Sequence, residues 1–168
     1  MRLPDASTLW LVIGGGAALV VAASMGLGHL LDAPPCHLCI AQRAMLVAVV
    51  PLAVLAGLLW RRAVGLGAGM AVAAAAVAGL VVAVHQSWLE RQPPEVAASC
   101  VGLLQPTPTE RLAQTLGDAV PWLFAVEGVC DEIGPTLFGL SFANGGLLVF
   151  TAILVAATTL SLRWPAAR

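Results

Sequence analysis

Four apolar runs, each long enough to cross a lipid bilayer, constrain this chain more than any other feature. A hydrocarbon core about 30 Å thick needs roughly 17–25 residues of helix. The first run extends from Leu9 to about Leu31 without a charge. The second is uncharged from Ala44 to Trp60 and extends back to about residue 40. The third covers Ala63 to about Leu89, and the fourth about Leu140 to Leu162. Lipid offers no partner for backbone N–H and C=O groups, so each run is expected to be a helix. The expected fold is an all-α membrane protein, a four-transmembrane-helix bundle with residues 1–168 as a single domain. Spans at about 9–31, 40–60, 63–89 and 140–162 leave outer loops at about 32–39 and 90–139. Composition agrees: 8 arginines, no lysine and 9 acidic residues stand in a chain that is 60% hydrophobic. Soluble domains carry about 25% charged residues, so this chain lacks the polar surface of a soluble enzyme or a disordered tail. With no basic patch, it is not a nucleic-acid binder either.

The first run also has elements of a secretory leader, with Arg2 ahead of it and Val21-Ala22-Ala23 as a cleavage-like site. Its uncharged stretch of 23 residues is longer than a usual leader core and continues past that site, which favours a retained span. Retention also makes the number of spans even. Arginine placement sets the orientation. Arg2, Arg61, Arg62, Arg163 and Arg168 face only Asp5 on one side, the predicted cytoplasmic side, where both termini lie. The other side holds Arg43, Arg91 and Arg111 against the eight remaining acids. In the third run, Gly65 and Gly69 at i, i+4 allow close helix approach.

The four cysteines, Cys36, Cys39, Cys100 and Cys130, all fall on that outer side. Disulfides persist in an oxidising compartment such as a bacterial periplasm, and two pairs suggest themselves, one in each loop. Cys36-His37-Leu38-Cys39 follows Pro34-Pro35, whose extended backbone leads into a helix beginning near Cys36. The unpaired N–H donors of a first helical turn stabilise a thiolate, the attacking species in disulfide exchange. Metal is the weaker reading, since a zinc site wants four ligands, and a c-type haem needs histidine where this chain has Ile40. Arg43, at i+4 from Cys39 and i+7 from Cys36, shares their helical face. It can support a thiolate and negative charge on a reduced acceptor, or simply snorkel to the interface.

The long loop carries Pro93-Pro94, Cys100 and Pro106-Thr107-Pro108, after which Leu112, Leu116, Val120 and Phe124 recur every fourth residue beside Trp122. This spacing predicts a short amphipathic interfacial helix in the long outer loop; a helix packed on the bundle's own outer end shares the pattern. His85 and Trp88 lie near the outer end of the third span. Tryptophan is common at interfaces, whereas a histidine inside a span end points to a polar ligand, a proton route or a hydrogen bond within the bundle.

Pro35-Cys36-His37-Leu38-Cys39-Ile40-Ala41-Gln42-Arg43 resembles the P-C-x-x-C-x-x-x-R signature of the DsbB family of disulfide bond formation proteins. His85-Gln86 ahead of Pro93 and Cys100 is similar to that family's exit from the third span. Cys130 with Phe138-Gly139-Leu140-Ser141 is similar to its entry into the fourth. The resemblance covers essentially the whole chain. It departs where relatives often carry an aromatic and an acid, here Ala41 and Gln42. A family tryptophan after Cys130 is absent, and Phe142-Ala143-Asn144 replaces a usual proline and tryptophan.

The resemblance implies a quinone-dependent protein-dithiol oxidoreductase of the bacterial inner membrane. Its expected partners are a DsbA-like periplasmic thiol oxidase, membrane quinone (ubiquinone or menaquinone) and the bilayer. It implies Cys100 as the cysteine that forms the mixed disulfide with the carrier and Cys130 as its partner. Cys36 is implied to exchange with the loop pair, and Cys39 to contact quinone as a thiolate. Arg43 and His85 fall at the family's quinone-side positions, and no metal is implied. A carrier poised at about −120 mV is a strong oxidant, so thiol exchange alone supplies little drive and an external acceptor is needed. Two alternatives stand. A vitamin K epoxide reductase-like protein places its C-x-x-C after the loop pair, the reverse of the order here. A non-catalytic four-span protein would hold its disulfides as inert staples.

Overall fold

The structure, a computed structural model, describes residues 5–93, 106–128 and 141–164. Its described residues are all-helical where they are regular. Four long helices, α1 (Ala6–Leu30), α2 (His37–Leu58), α3 (Ala63–Leu89) and α6 (Phe142–Leu162), are long and apolar enough to cross a membrane. Between α3 and α6 lie α4 (Pro108–Ala119) and the single turn α5 (Pro121–Phe124). The outward faces of the long helices are apolar and exposed, as at Val12, Leu19, Met70, Val81, Leu148 and Val155. For a chain whose solvent is lipid this is the stable arrangement, since such faces cost nothing there.

The helices pack in sequence order, α1 on α2 and α2 on α3, with α6 against α3 and only a light contact back to α1. Association between helices in lipid rests on close van der Waals fit and interhelical hydrogen bonds, and two glycines of α3 supply the fit. A Cβ on Gly79 would collide with the Phe150 ring of α6. One on Gly69 would crowd the Trp10 ring of α1 and Ser161 of α6. The core formed this way holds Trp10, Val49, Val72 and Phe150, all fully buried, with alanines between them. At the end of the bundle where α1 begins and α6 finishes, Trp164 Nε1 donates to Trp60 O at 2.7 Å, and the Trp10 and Trp60 rings lie 6.4 Å apart.

The opposite end, which carries Cys36 and Cys39 and is called outer for the side that the charge pattern predicts, is shaped by two turns. After α1, Ala33 N–H bonds back to Gly28 O, with Asp32 between them in a left-handed conformation (φ 48°). This is the Schellman-type stop, with an aspartate in a position such residues tolerate. Pro34-Pro35 then lead to Cys36, which is the N-cap of α2. In the long loop, α4 is started by a capping box: Thr107 Oγ1 accepts from Glu110 N–H, and the Glu110 carboxylate accepts from Thr107 N–H at 2.5 Å. Ala113, Leu116, Val120, Leu123 and Phe124 pack on Ile40, Ala44 and Val47 of α2. Of the two settings open to this amphipathic segment, its inner face takes the bundle. Trp122 and Val126 remain exposed beside it, and Leu112 is only half-buried.

Candidate active site

The outer end of α2 gathers the reactive groups. Cys36, at the N-cap, is 4% exposed and packs with Leu38 and Leu89, while Cys39, one turn on, is half-buried. Cys36 Sγ donates to Cys39 Sγ across 3.2 Å. The i, i+3 spacing on one helical turn brings both sulfurs to one face, so a disulfide between them is within reach of a rotamer change.

Gln86 of α3 reaches the same sulfur, its Nε2 donating to Cys39 Sγ at 3.4 Å. Its Oε1 in turn accepts from Gln42 Nε2 of α2 at 2.6 Å. Both glutamines are buried. A Cβ on Gly146 of α6 would collide with Gln42 Oε1, so a glycine there makes room for the amide. A further link joins α3 to α6, where Ser87 Oγ donates to Asn144 Oδ1 at 3.0 Å. Asn144 N–H is itself held by Ser141 Oγ at the N-cap of α6. Every side-chain amide near the dithiol therefore has a partner on another helix, as buried polar groups in lipid require.

Arg43 is half-buried one turn beyond Cys39, within electrostatic range of it. Its Nη1 donates to Leu123 O of α5 at 2.7 Å, while its Nε is buried with no hydrogen-bond partner. That orphan donor is the feature of the described residues that fits an acceptor carbonyl such as a quinone's. His85 lies on the exposed side of α3, its ring stacked on Trp88 with centroids 6.1 Å apart. It is Gln86, and not its neighbour His85, that meets the dithiol. Cys100 and Cys130 lie outside the described residues. The chain leading to Cys130 does reach the site: Glu127 and Gly128 both donate backbone N–H groups to Pro35 O at 3.1 Å, directly ahead of Cys36.

Gln42 and Gln86 are the site residues that motif reasoning passed over. A signal for them exists in the spacing. Gln86 follows Val72, Ala76, Gly79 and Ala83 on one stripe of α3, and Gln42 precedes Leu46, Val49, Ala53 and Ala56 on one stripe of α2. A costly amide at the end of a buried small-residue stripe points into the bundle.

Residues 6–160 match the family model described as disulfide bond formation protein DsbB. Among curated relatives, the disulfide bond formation protein B of Dechloromonas aromatica is 36% identical over 158 residues, 90% of this chain and 89% of that protein. The protein of the same name from Albidiferax ferrireducens is 34% identical over 158 residues, covering 88% of this chain and 85% of that protein. That of Azoarcus sp. is 34% identical over 147 residues, covering 86% and 85%.

Proposed function

Because this chain belongs to the DsbB family, we propose that it is a disulfide-generating membrane oxidoreductase that takes electrons from a DsbA-like periplasmic dithiol carrier. In this reading residues 1–168 form one membrane domain of the bacterial inner membrane, with termini cytoplasmic and cysteines periplasmic. The observation that carries it is the dithiol at the outer end of α2, with Cys36 at the N-cap and its sulfur 3.2 Å from that of Cys39.

The carrier's thiolate attacks Cys100 of a Cys100–Cys130 disulfide; the S–S bond breaks, and Cys130 leaves with the electron pair. The carrier's second thiol then displaces Cys100, so the carrier departs oxidised and the loop pair is left as two thiols. A loop thiolate next attacks Cys36 of a Cys36–Cys39 disulfide, and the electron pair comes to rest on Cys39. The second loop thiol then displaces Cys36, which restores the Cys100–Cys130 disulfide and leaves Cys36 and Cys39 as the reduced pair. Burial supports this relay. A folded carrier has poor access to a cysteine that is 4% exposed. The loop's own chain, in contrast, is tied to Pro35 O only two residues before Cys130.

A quinone bound beside Cys39 would supply the two-electron acceptor that the cycle needs. Arg43 would hold it through the unpartnered Nε–H, and His85 and Trp88 face the lipid from which it would enter. Leu123 O fixes the guanidinium for that role, since one end of the planar fork is already bound. The test is stopped-flow mixing of the purified protein with ubiquinone or menaquinone and reduced carrier. Wild-type protein is expected to reduce quinone, and Cys39→Ser to lose the reaction. Wild-type rates in Cys39→Ser would refute the scheme. The structural-disulfide alternative is tested by thiol alkylation in growing cells. Inert bridges stay oxidised when respiration stops, whereas an oxidase accumulates thiols.

A further inference from the structure

We propose that the Gln42–Gln86 pair is an orientation-locked hydrogen-bond donor for the Cys39 sulfur, with Gln86 as the catalytic contact and Gln42 as the residue that positions it. The inference rests on the reading of Cys36–Cys39 as a redox dithiol, but its main test needs neither quinone nor carrier.

A primary amide has two unlike ends. Turned one way, Gln86 offers an N–H to Cys39; turned the other, it offers a carbonyl oxygen, which repels a sulfur carrying charge. Gln42 removes the choice. Its Nε2 occupies Gln86 Oε1 at 2.6 Å, so the other end of the amide, Nε2, is the one left facing Cys39 Sγ at 3.4 Å. Gly146 of α6 leaves the space that Gln42 Oε1 occupies. A pair serving only as interhelical glue would leave the Cys39 sulfur without a donor.

The electron balance explains why a donor belongs there. When an attacking thiolate bonds to Cys36 Sγ, the Cys36–Cys39 bond breaks and its electron pair passes to Cys39 Sγ. No proton need move in that step. The full negative charge then sits on a half-buried sulfur, where the Gln86 N–H is already aimed at it. Arg43 does not donate to this sulfur; its Nη1 is committed to Leu123 O. The neutral amide is therefore the side chain from another helix that hydrogen-bonds Cys39 among the described residues.

The experiment measures the iodoacetamide alkylation rate of Cys39 at fixed pH in full-length protein whose other three cysteines are serine. Gln86→Met is expected to lower the rate about tenfold, the worth of one hydrogen bond to a charged sulfur. Gln42→Leu, which frees the amide to rotate, is expected to lower it about threefold by removing a single orienting bond. The double variant is expected to match Gln86→Met alone, because Gln42 acts only through Gln86. A Gln86→Met rate within about twofold of the parent, or losses that multiply in the double variant, would overturn the proposal. Should Gln86→Met fail to accumulate in membranes, Gly146→Ala displaces Gln42 while leaving Gln86 and Cys39 in place. It is expected to reproduce the Gln42→Leu loss, and an unchanged rate there overturns the proposal equally. Activity separates the two readings. Loss of quinone reduction in Cys39→Ser with unaltered alkylation in Gln86→Met removes this inference alone. Retained quinone reduction in Cys39→Ser removes the functional reading, whatever the alkylation rates.

Discussion

The middle of the bundle and its outer end are built from the same helices by opposite means. Around Phe150 the helices meet through shape alone: Gly79 receives the ring, and Val49, Val72 and Ala76 belong to the same buried cluster. One or two turns further out, the same stripes of α2 and α3 end in Gln42 and Gln86, and contact becomes directional. Shape sets the distance between helices and how each is rotated. Hydrogen bonds then use that rotation to aim a donor at Cys39. The middle needs no chemistry, and the outer end needs no bulk.

Substitutions in each region test this contrast. Cys36→Ser and Cys39→Ser should each abolish carrier-dependent quinone reduction, by at least about 10³-fold, since the exchange requires both sulfurs. Four-helix content by circular dichroism should stay intact, because neither sulfur supports the core around Phe150. Gly79→Val acts through shape. Overpacking against the Phe150 ring costs about 1–3 kcal/mol, visible as a lower Tm in detergent. Because this fit also sets the rotation of α3, Cys39 alkylation in the folded fraction should fall with it. An unchanged alkylation rate would show that the hydrogen bonds around Cys39 keep their aim without the Phe150 fit.

Arg43→Lys keeps the charge and loses the planar fork that holds Leu123 O. It should raise KM for quinone about tenfold, the worth of one charge-assisted hydrogen bond, with kcat little changed. A fall in kcat at constant KM would move Arg43 from holding the acceptor to the thiol chemistry. Glu110→Ala removes half of the capping box and should cost about 1 kcal/mol locally. It is detectable as faster amide exchange in α4 without a change in α1, α2, α3 or α6.

Much of this was legible in the residues. Four helices follow from the four apolar runs. Cys36 as the start of a helix follows from Pro34-Pro35, and the amphipathic α4 from its four-residue spacing. On α3 the motif points to His85, and packing brings its neighbour Gln86 to the Cys39 sulfur. His85 and Gln86 are adjacent, and a helix turns about 100° between them, so one faces lipid when the other faces Cys39. Histidine is the more reactive type and drew the functional reading. The stripe from Val72 to Ala83 leads instead to Gln86.

The order of residue types is enough for the class of structure, because backbone in lipid has to bond within its own helix and because unpaired charges stay out of the hydrocarbon. It is also enough to show that a C-x-x-C opens a span. Which face of each helix turns inward is settled by packing. That rotation is set by the fit of Phe150 on Gly79 and of Trp10 on Gly69, contacts between residues far apart in the chain. From it follow the Gln86 hydrogen bond to Cys39, the hold of Leu123 O on Arg43, and the exposure of His85. Side-chain types are local information, whereas the direction in which an amide points depends on how the helices pack together.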